Sequence, residues 1–126
     1  MFRRLPTRLG YAFRGLGLAF RLDQAFLEHL ICACGVIIAG VVLRVSLIEA
    51  CLLTLCIAAV IAGEMFNTAI EQMAKTIDAE QNPQLGAALD ISAAGVLVAS
   101  LGAAAVGGAI FVYRIGILME WWTPGA

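Results

Sequence analysis

Charge is what this sequence has least of: eight Lys/Arg and nine Asp/Glu among 126 residues, with a single histidine. So little charge beside 62% apolar residues excludes a disordered chain, a collagen-like repeat and a polar repeat array. It also fits poorly with a water-soluble domain, where apolar residues with glycine make up about half of the total. No Gly-x-x-x-x-Gly-Lys-Ser/Thr loop is present, and Gly15-x-Gly17 opens no dinucleotide-binding unit, so the usual soluble phosphate cradles are missing. A zinc site is excluded on similar grounds. Cys32 and Cys34 point about 200° apart around a helix, and no histidine or second thiol pair completes a tetrahedral set. All four cysteines (Cys32, Cys34, Cys51, Cys56) fall in apolar stretches and read as small packing residues. The length leaves room for one domain, residues 1–126.

What the chain does have is long apolar runs and a mean hydropathy of +0.94. Three runs stand out, at about residues 26–43, 47–66 and 91–113. Each is close to the roughly 20 residues that a helix needs to cross about 30 Å of hydrocarbon. None shows a polar face at helical spacing through its middle, so the sequence predicts an all-α membrane protein with three transmembrane helices. Arg44-Val45-Ser46 joins the first two spans, and the segment from Asp78 to Gln84 joins the last two. Pro83, which lacks an N–H and biases Asn82 away from helix, requires the second helix to end before it.

Ahead of the spans, Phe2, Leu5, Leu9, Phe13, Leu16 and Phe20 recur at three- and four-residue steps among arginines. This predicts a basic amphipathic helix over about residues 2–21, lying in the bilayer surface. It lacks the unbroken apolar core and small-residue cleavage site of a secretory signal. Arg3, Arg4, Arg8, Arg14 and Arg21 all precede the first acid, Asp23. With Lys75 they outnumber Arg44 and Arg114 on the other side, so the N-terminus is expected in the cytoplasm and the C-terminus outside. Trp121 and Trp122 are then expected in the outer aromatic belt.

The polar residues within this frame gather at one height. Asp23, Glu28 and His29 stand at the start of span one, Glu64, Asn67 and Glu71 at the end of span two, and Asp90 at the opening of span three. In an antiparallel chain all of these ends face the cytoplasm, while the outer halves carry almost nothing ionisable. On span two, Glu64, Asn67, Glu71 and Lys75 share a stripe about 80° wide at 100° per residue. Glu64 and Glu71 lie roughly 10 Å apart along the axis, which is too far to grip one ion together but suits two stations, one deeper and one nearer water. An ionised group inside hydrocarbon costs from about 2.5 kcal/mol upward, so it should face protein, cavity or ligand. Five carboxylates (Asp23, Glu28, Glu64, Glu71, Asp90) against one lysine call for a cation. Hard oxygen donors suit Mg²⁺ arriving with phosphate oxygens, which points to phosphoryl chemistry on a nucleotide. The residues alone also leave open a structural or ion-conducting oligomer, with Glu64 and Asn67 as interhelical glue, His29 as a packing residue, and Asp23, Asp78 and Glu80 merely solvated. Small residues in span three (Ala93, Ala94, Gly95, Gly102 to Ala105, Gly107, Gly108) permit close helix approach.

The stretch Glu64-Met-Phe-Asn67-Thr-Ala-Ile-Glu71, followed nineteen residues later by Asp90 and then the run from Ser92 to Val98, resembles the small prokaryotic integral-membrane diacylglycerol kinase and undecaprenol kinase family. The Tyr11-Ala-Phe13-x-Gly15-Leu segment and the Asp23-x-x-Phe26-x-x-His29 entry to span one extend the resemblance over about residues 8–115. It implies a homotrimer with sites shared between subunits, using MgATP to phosphorylate a lipid alcohol at the cytoplasmic face. Carried over by position, Glu71 and Asp23 would hold the metal–nucleotide complex and Glu64 would be the catalytic base. Asn67, Asp90 and His29 would support the site, with Asp90 also near the nucleotide. Nucleic acid is not an expected partner. The chain departs from the family pattern at two places: Leu89 stands where the family usually has Lys before the third-span Asp, and Lys75 where it has Asp. The sequence therefore suggests a swap in which Lys75, with Arg14 as a further candidate, supplies the missing cation for phosphate. The alternative is a solvated Glu71–Lys75 pair in a weak or inactive member that binds nucleotide or merely assembles. His29 and the Asn67-Thr-Ala form resemble the undecaprenol branch slightly more, which leaves the lipid undecided.

Overall fold

The computed structural model describes residues 5–77 and 82–125. Phe2, Arg3, Arg4, Asp78 and Glu80 of the sequence reading lie outside the described residues. Among the described residues four helices follow one another: α1 (Leu5–Leu22), α2 (Gln24–Val42), α3 (Leu47–Ala74) and α4 (Pro83–Leu118). The last three are long and apolar enough to cross a membrane, at about 28, 42 and 54 Å each. There is no strand among the described residues.

Each junction has a chemical cause. Asp23 breaks the chain between α1 and α2 by adopting an extended backbone and capping α2, its Oδ1 accepting the Ala25 N–H at 2.9 Å; a carboxylate at a helix N-terminus is favoured by the orphan N–H groups there. Across the break the rings of Phe20 and Phe26 meet edge-on at 5.5 Å, and Phe26 is the one large side chain with no exposure among the described residues. At the other end of α2, the Val45 N–H donates to Gly40 O at 3.1 Å and the Arg44 N–H to Val41 O at 3.2 Å. This double closure requires a left-handed residue, and Arg44 supplies it with φ +53° where glycine would avoid about 1–2 kcal/mol of steric cost. Ser46 and Glu49 then form a reciprocal capping box that starts α3. Asn82 caps α4 by accepting the N–H groups of Gln84 and Leu85, with Pro83 in the first turn where its missing donor costs nothing.

The helices outrun the apolar runs from which the spans were read. α3 continues two turns past Phe66, and α4 begins eight residues before Ile91. Asp90 accordingly lies within α4 rather than at its start. At the far end of α4 the tail turns back: the Trp122 Nε1–H donates to Tyr113 O at 3.1 Å and the two rings stack. Gly116 is required there, because a Cβ would collide with the Trp122 ring.

α3 and α4 pack together most extensively, with α2 laid against α3. Gly63 approaches the Val96 backbone and Gly107 meets Leu53, but Gly95, Gly102 and Gly108 face open space. The interior is thin and the outside apolar, with Leu47 81% and Phe66 72% exposed. A patch of this extent is untenable in water and ordinary in hydrocarbon. The cysteines are free, and Cys32, Cys34 and Cys51 stand on this outer surface rather than in the packing expected of them.

Candidate functional site

At the end of the bundle where α2 begins and α3 finishes, side chains from three helices join. Asp23, already tied to the α2 N-terminus through Oδ1, uses Oδ2 to accept the Thr68 hydroxyl of α3 at 2.5 Å. Burial pushes the Asp23 pKa up. The hydrogen bonds from the Thr68 hydroxyl and the Ala25 N–H work against it, and the net value lies below the ordinary 3.8. A lowered folded-state pKa stabilises the fold above the unfolded value, and that contribution is lost as pH falls through the folded value. Thr68→Val should bring the Asp23 titration back up and move acid unfolding to higher pH than in the parent. Following the carboxyl stretch of Asp23 through a pH series of nucleotide-free protein checks this, and an unmoved titration would refute it.

Glu64, one turn before Thr68, is 4% exposed. Its Oε2 lies 3.3 Å from His29 Nε2 of α2, and its backbone carbonyl, 2.9 Å from the Thr68 hydroxyl oxygen, shares with Asp23 the single proton of that hydroxyl. Asn67 carries a second chain of bonds. Its Nδ2 donates to Glu71 Oε1 at 3.0 Å, and its Oδ1 accepts the Ser92 hydroxyl of α4 at 2.7 Å. Glu64, Asn67 and Thr68 are buried, while Glu71 is exposed, so α3 presents a deep carboxylate and a shallow one. From His29 an apolar groove of about 330 Å³ leads away between the helices past Cys56 and Val60 to Gly107.

The structure thus joins Asp23, His29 and Glu64, and separately Asn67 and Glu71. It leaves Glu28, Lys75, Asp90 and Arg14 exposed. Lys75 forms no ion pair with Glu71 among the described residues. Two linking residues escaped the sequence reading. Thr68 lies about 40° from Glu64 on the same stripe, so extending the stripe to hydroxyls would have found it; Ser92 stands two positions after Asp90 without a spacing signal. The opposite end is also less bare than expected. Glu49 of α3 holds Arg114 of α4 with Oε2 2.7 Å from Nε, both half-buried.

Among the described residues no three Asp, Glu, His or Cys side chains converge as a metal site. Asp23 and Glu71 instead offer single carboxylates from different helices, and Glu71 keeps one oxygen out of its bond with Asn67. This donor set fits an ion that brings phosphate oxygens with it, as Mg²⁺ does with a nucleotide.

Three lipid-facing helices and a polar network at one end define a multi-pass membrane protein with its polar chemistry at one margin. A sequence model of the prokaryotic diacylglycerol kinases matches residues 10–111. Undecaprenol kinase of Bacillus subtilis (strain 168) is 31% identical over 105 residues, covering 83% of this chain and 85% of that protein. No solved structure matches significantly. The class is therefore that of membrane lipid kinases, and the chain belongs to the prokaryotic diacylglycerol kinase family.

Proposed function

We propose that this protein transfers the γ-phosphoryl group of MgATP to a lipid alcohol, undecaprenol, at the cytoplasmic face of the bacterial inner membrane. The observation that carries this reading is Glu64, a carboxylate 4% exposed in the interior of α3. It stands beside His29, which lines the mouth of an apolar groove. A lipid entering sideways places its chain in hydrocarbon and its hydroxyl at this carboxylate. Glu64 takes the hydroxyl proton as the lipid oxygen bonds to the γ-phosphorus and the bond from that phosphorus to the ADP oxygen breaks. Asp23 and Glu71 would hold the Mg²⁺, which would supply neutralisation of phosphate charge. Asn67, fixed by Ser92, aims Glu71; Asp90 and Arg14 approach the nucleotide from the water side. The choice of undecaprenol is supported by the activity named for the Bacillus relative and by His29 beside Glu64.

The exposed Leu9, Phe13, Leu16 and Phe20 of α1 share one stripe, with Arg8, Arg14 and Arg21 off it. This suits an amphipathic helix lying in the cytoplasmic bilayer surface, consistent with the N-terminus inside. The open faces at Gly95, Gly102 and Gly108 suit packing against further copies, and a homotrimer sharing its sites is the assembly proposed.

Purified protein in nanodiscs, given radiolabelled ATP and either undecaprenol or diacylglycerol, should label undecaprenol in a Mg²⁺-dependent reaction. Label on diacylglycerol alone would reassign the substrate, and label on neither would overturn the kinase reading. Lys75, exposed and not paired with Glu71, is the residue proposed to supply the cation that Leu89 cannot. Lys75→Met should lower turnover about tenfold or more and raise the KM for ATP; near-normal kinetics would remove Lys75 from the site.

A further inference from the structure

At the end of the bundle away from Asp23 and Glu64, a second groove of about 410 Å³ lies between α2 and α3. Val36, Ile37, Val41, Leu53 and Ile57 make its walls apolar, and Arg44 lines it as well. The backbone of Arg44 occupies the left-handed conformation at φ +53°, which glycine adopts freely and arginine does not. The turn itself is closed by backbone hydrogen bonds from Arg44 and Val45, so the guanidinium is not needed to make it. No acid of the described chain neutralises that guanidinium. Glu49, five residues on, is committed through Oε2 to Arg114 at 2.7 Å and to the Ser46 N–H at 3.0 Å. Glu120 forms no ion pair with Arg44 either. An unpaired cation thus stands at the end of an apolar slot, at the helix ends where a bilayer changes from hydrocarbon to headgroups.

We infer that this groove is a binding site for one anionic phospholipid of the leaflet opposite the carboxylate network. The phosphate lies on the Arg44 guanidinium, whose planar fork suits two phosphate oxygens, and one acyl chain runs along Val36, Leu53 and Ile57. Charge complementarity selects the headgroup, because a zwitterionic lipid brings its own ammonium to compete for the phosphate. The groove shares Val36, Leu53 and Ile57 with the one that leads from His29, but its charged end at Arg44 serves neither the nucleotide nor the lipid hydroxyl.

Native mass spectrometry of the full chain released from detergent, titrated with dioleoylphosphatidylglycerol or dioleoylphosphatidylcholine, tests this. One phosphatidylglycerol per chain should bind ahead of further adducts, and phosphatidylcholine about five- to tenfold more weakly. Arg44→Gln should reduce the phosphatidylglycerol preference by the same factor, and Ala50→Phe, which fills the groove with Arg44 intact, should weaken binding too. Arg44→Gly separates binding from folding. It relieves the backbone, so its thermal midpoint in lipid-free detergent should equal or exceed the parent's, yet phosphatidylglycerol should no longer raise it. Equal phosphatidylglycerol binding by the parent and Arg44→Gln would overturn the proposal. So would displacement of the lipid by inorganic phosphate, or a disulfide-linked pair of Val41→Cys chains that takes up no lipid, which would assign the groove to a second copy.

Discussion

Glu64→Gln is expected to lower phosphoryl transfer to undecaprenol by about 10²–10⁴-fold, the range that one positioned general base contributes, while leaving the KM for MgATP near the parent's. Glutamine keeps the size and planarity of the side chain, so it fills the same space beside His29. It cannot take a proton from the lipid hydroxyl. Because Glu64 is the deep station of the α3 stripe, its replacement acts on the step at the lipid and not on the nucleotide. Single-turnover transfer with preloaded radiolabelled ATP separates the two. Normal nucleotide occupancy with a slow chemical step is the expected result, and transfer within a few fold of the parent would remove Glu64 as the base.

Glu71→Gln should fail differently. The Glu71 carboxylate is exposed and held in direction by Asn67 Nδ2 at 3.0 Å, and in the proposed site it carries Mg²⁺ on its other oxygen. An amide retains one acceptor but no negative charge, so the affinity for the metal–nucleotide complex falls. The expected kcat/KM for MgATP is lower by roughly 10²-fold, with the KM bearing much of the change, in contrast to Glu64→Gln. Asn67→Ala should shift the same constant in the same direction by less, since it releases Glu71 without neutralising it. Titration of each variant with MgATP distinguishes these outcomes, and an unchanged KM in Glu71→Gln would take the nucleotide away from this carboxylate.

The three spans and the height of Glu64 and Asp23 were legible in the sequence because both follow from transfer free energy: apolar residues mark hydrocarbon, and rare carboxylates mark where it ends. The true lengths of α3 and α4 were not. A helix continues as long as its backbone bonds and caps allow, and Asn82 with Pro83 sets the start of α4 without regard to hydropathy. The capping box of Ser46 and Glu49 was readable as Ser-x-x-Glu, and with it the acid that meets Arg114, but a search confined to one layer of carboxylates passes over it. Thr68 and Ser92 escaped because a neutral hydroxyl leaves no mark on charge or hydropathy. Asp90 shows the opposite limit. Its height was inferred from the sequence, but height alone does not bring a side chain into contact, and it stands exposed while Asn67 takes the α4 hydroxyl instead.

One oxygen, Glu49 Oε2, secures both the turn into α3 and the far part of α4. At the opposite extremity the same two rods are clasped once more, by the Ser92 hydroxyl on Asn67 Oδ1. Parting them there breaks a neutral bond, whereas parting them at Glu49 breaks a charge-assisted one, which makes the Glu64 and Glu71 end the weaker clasp.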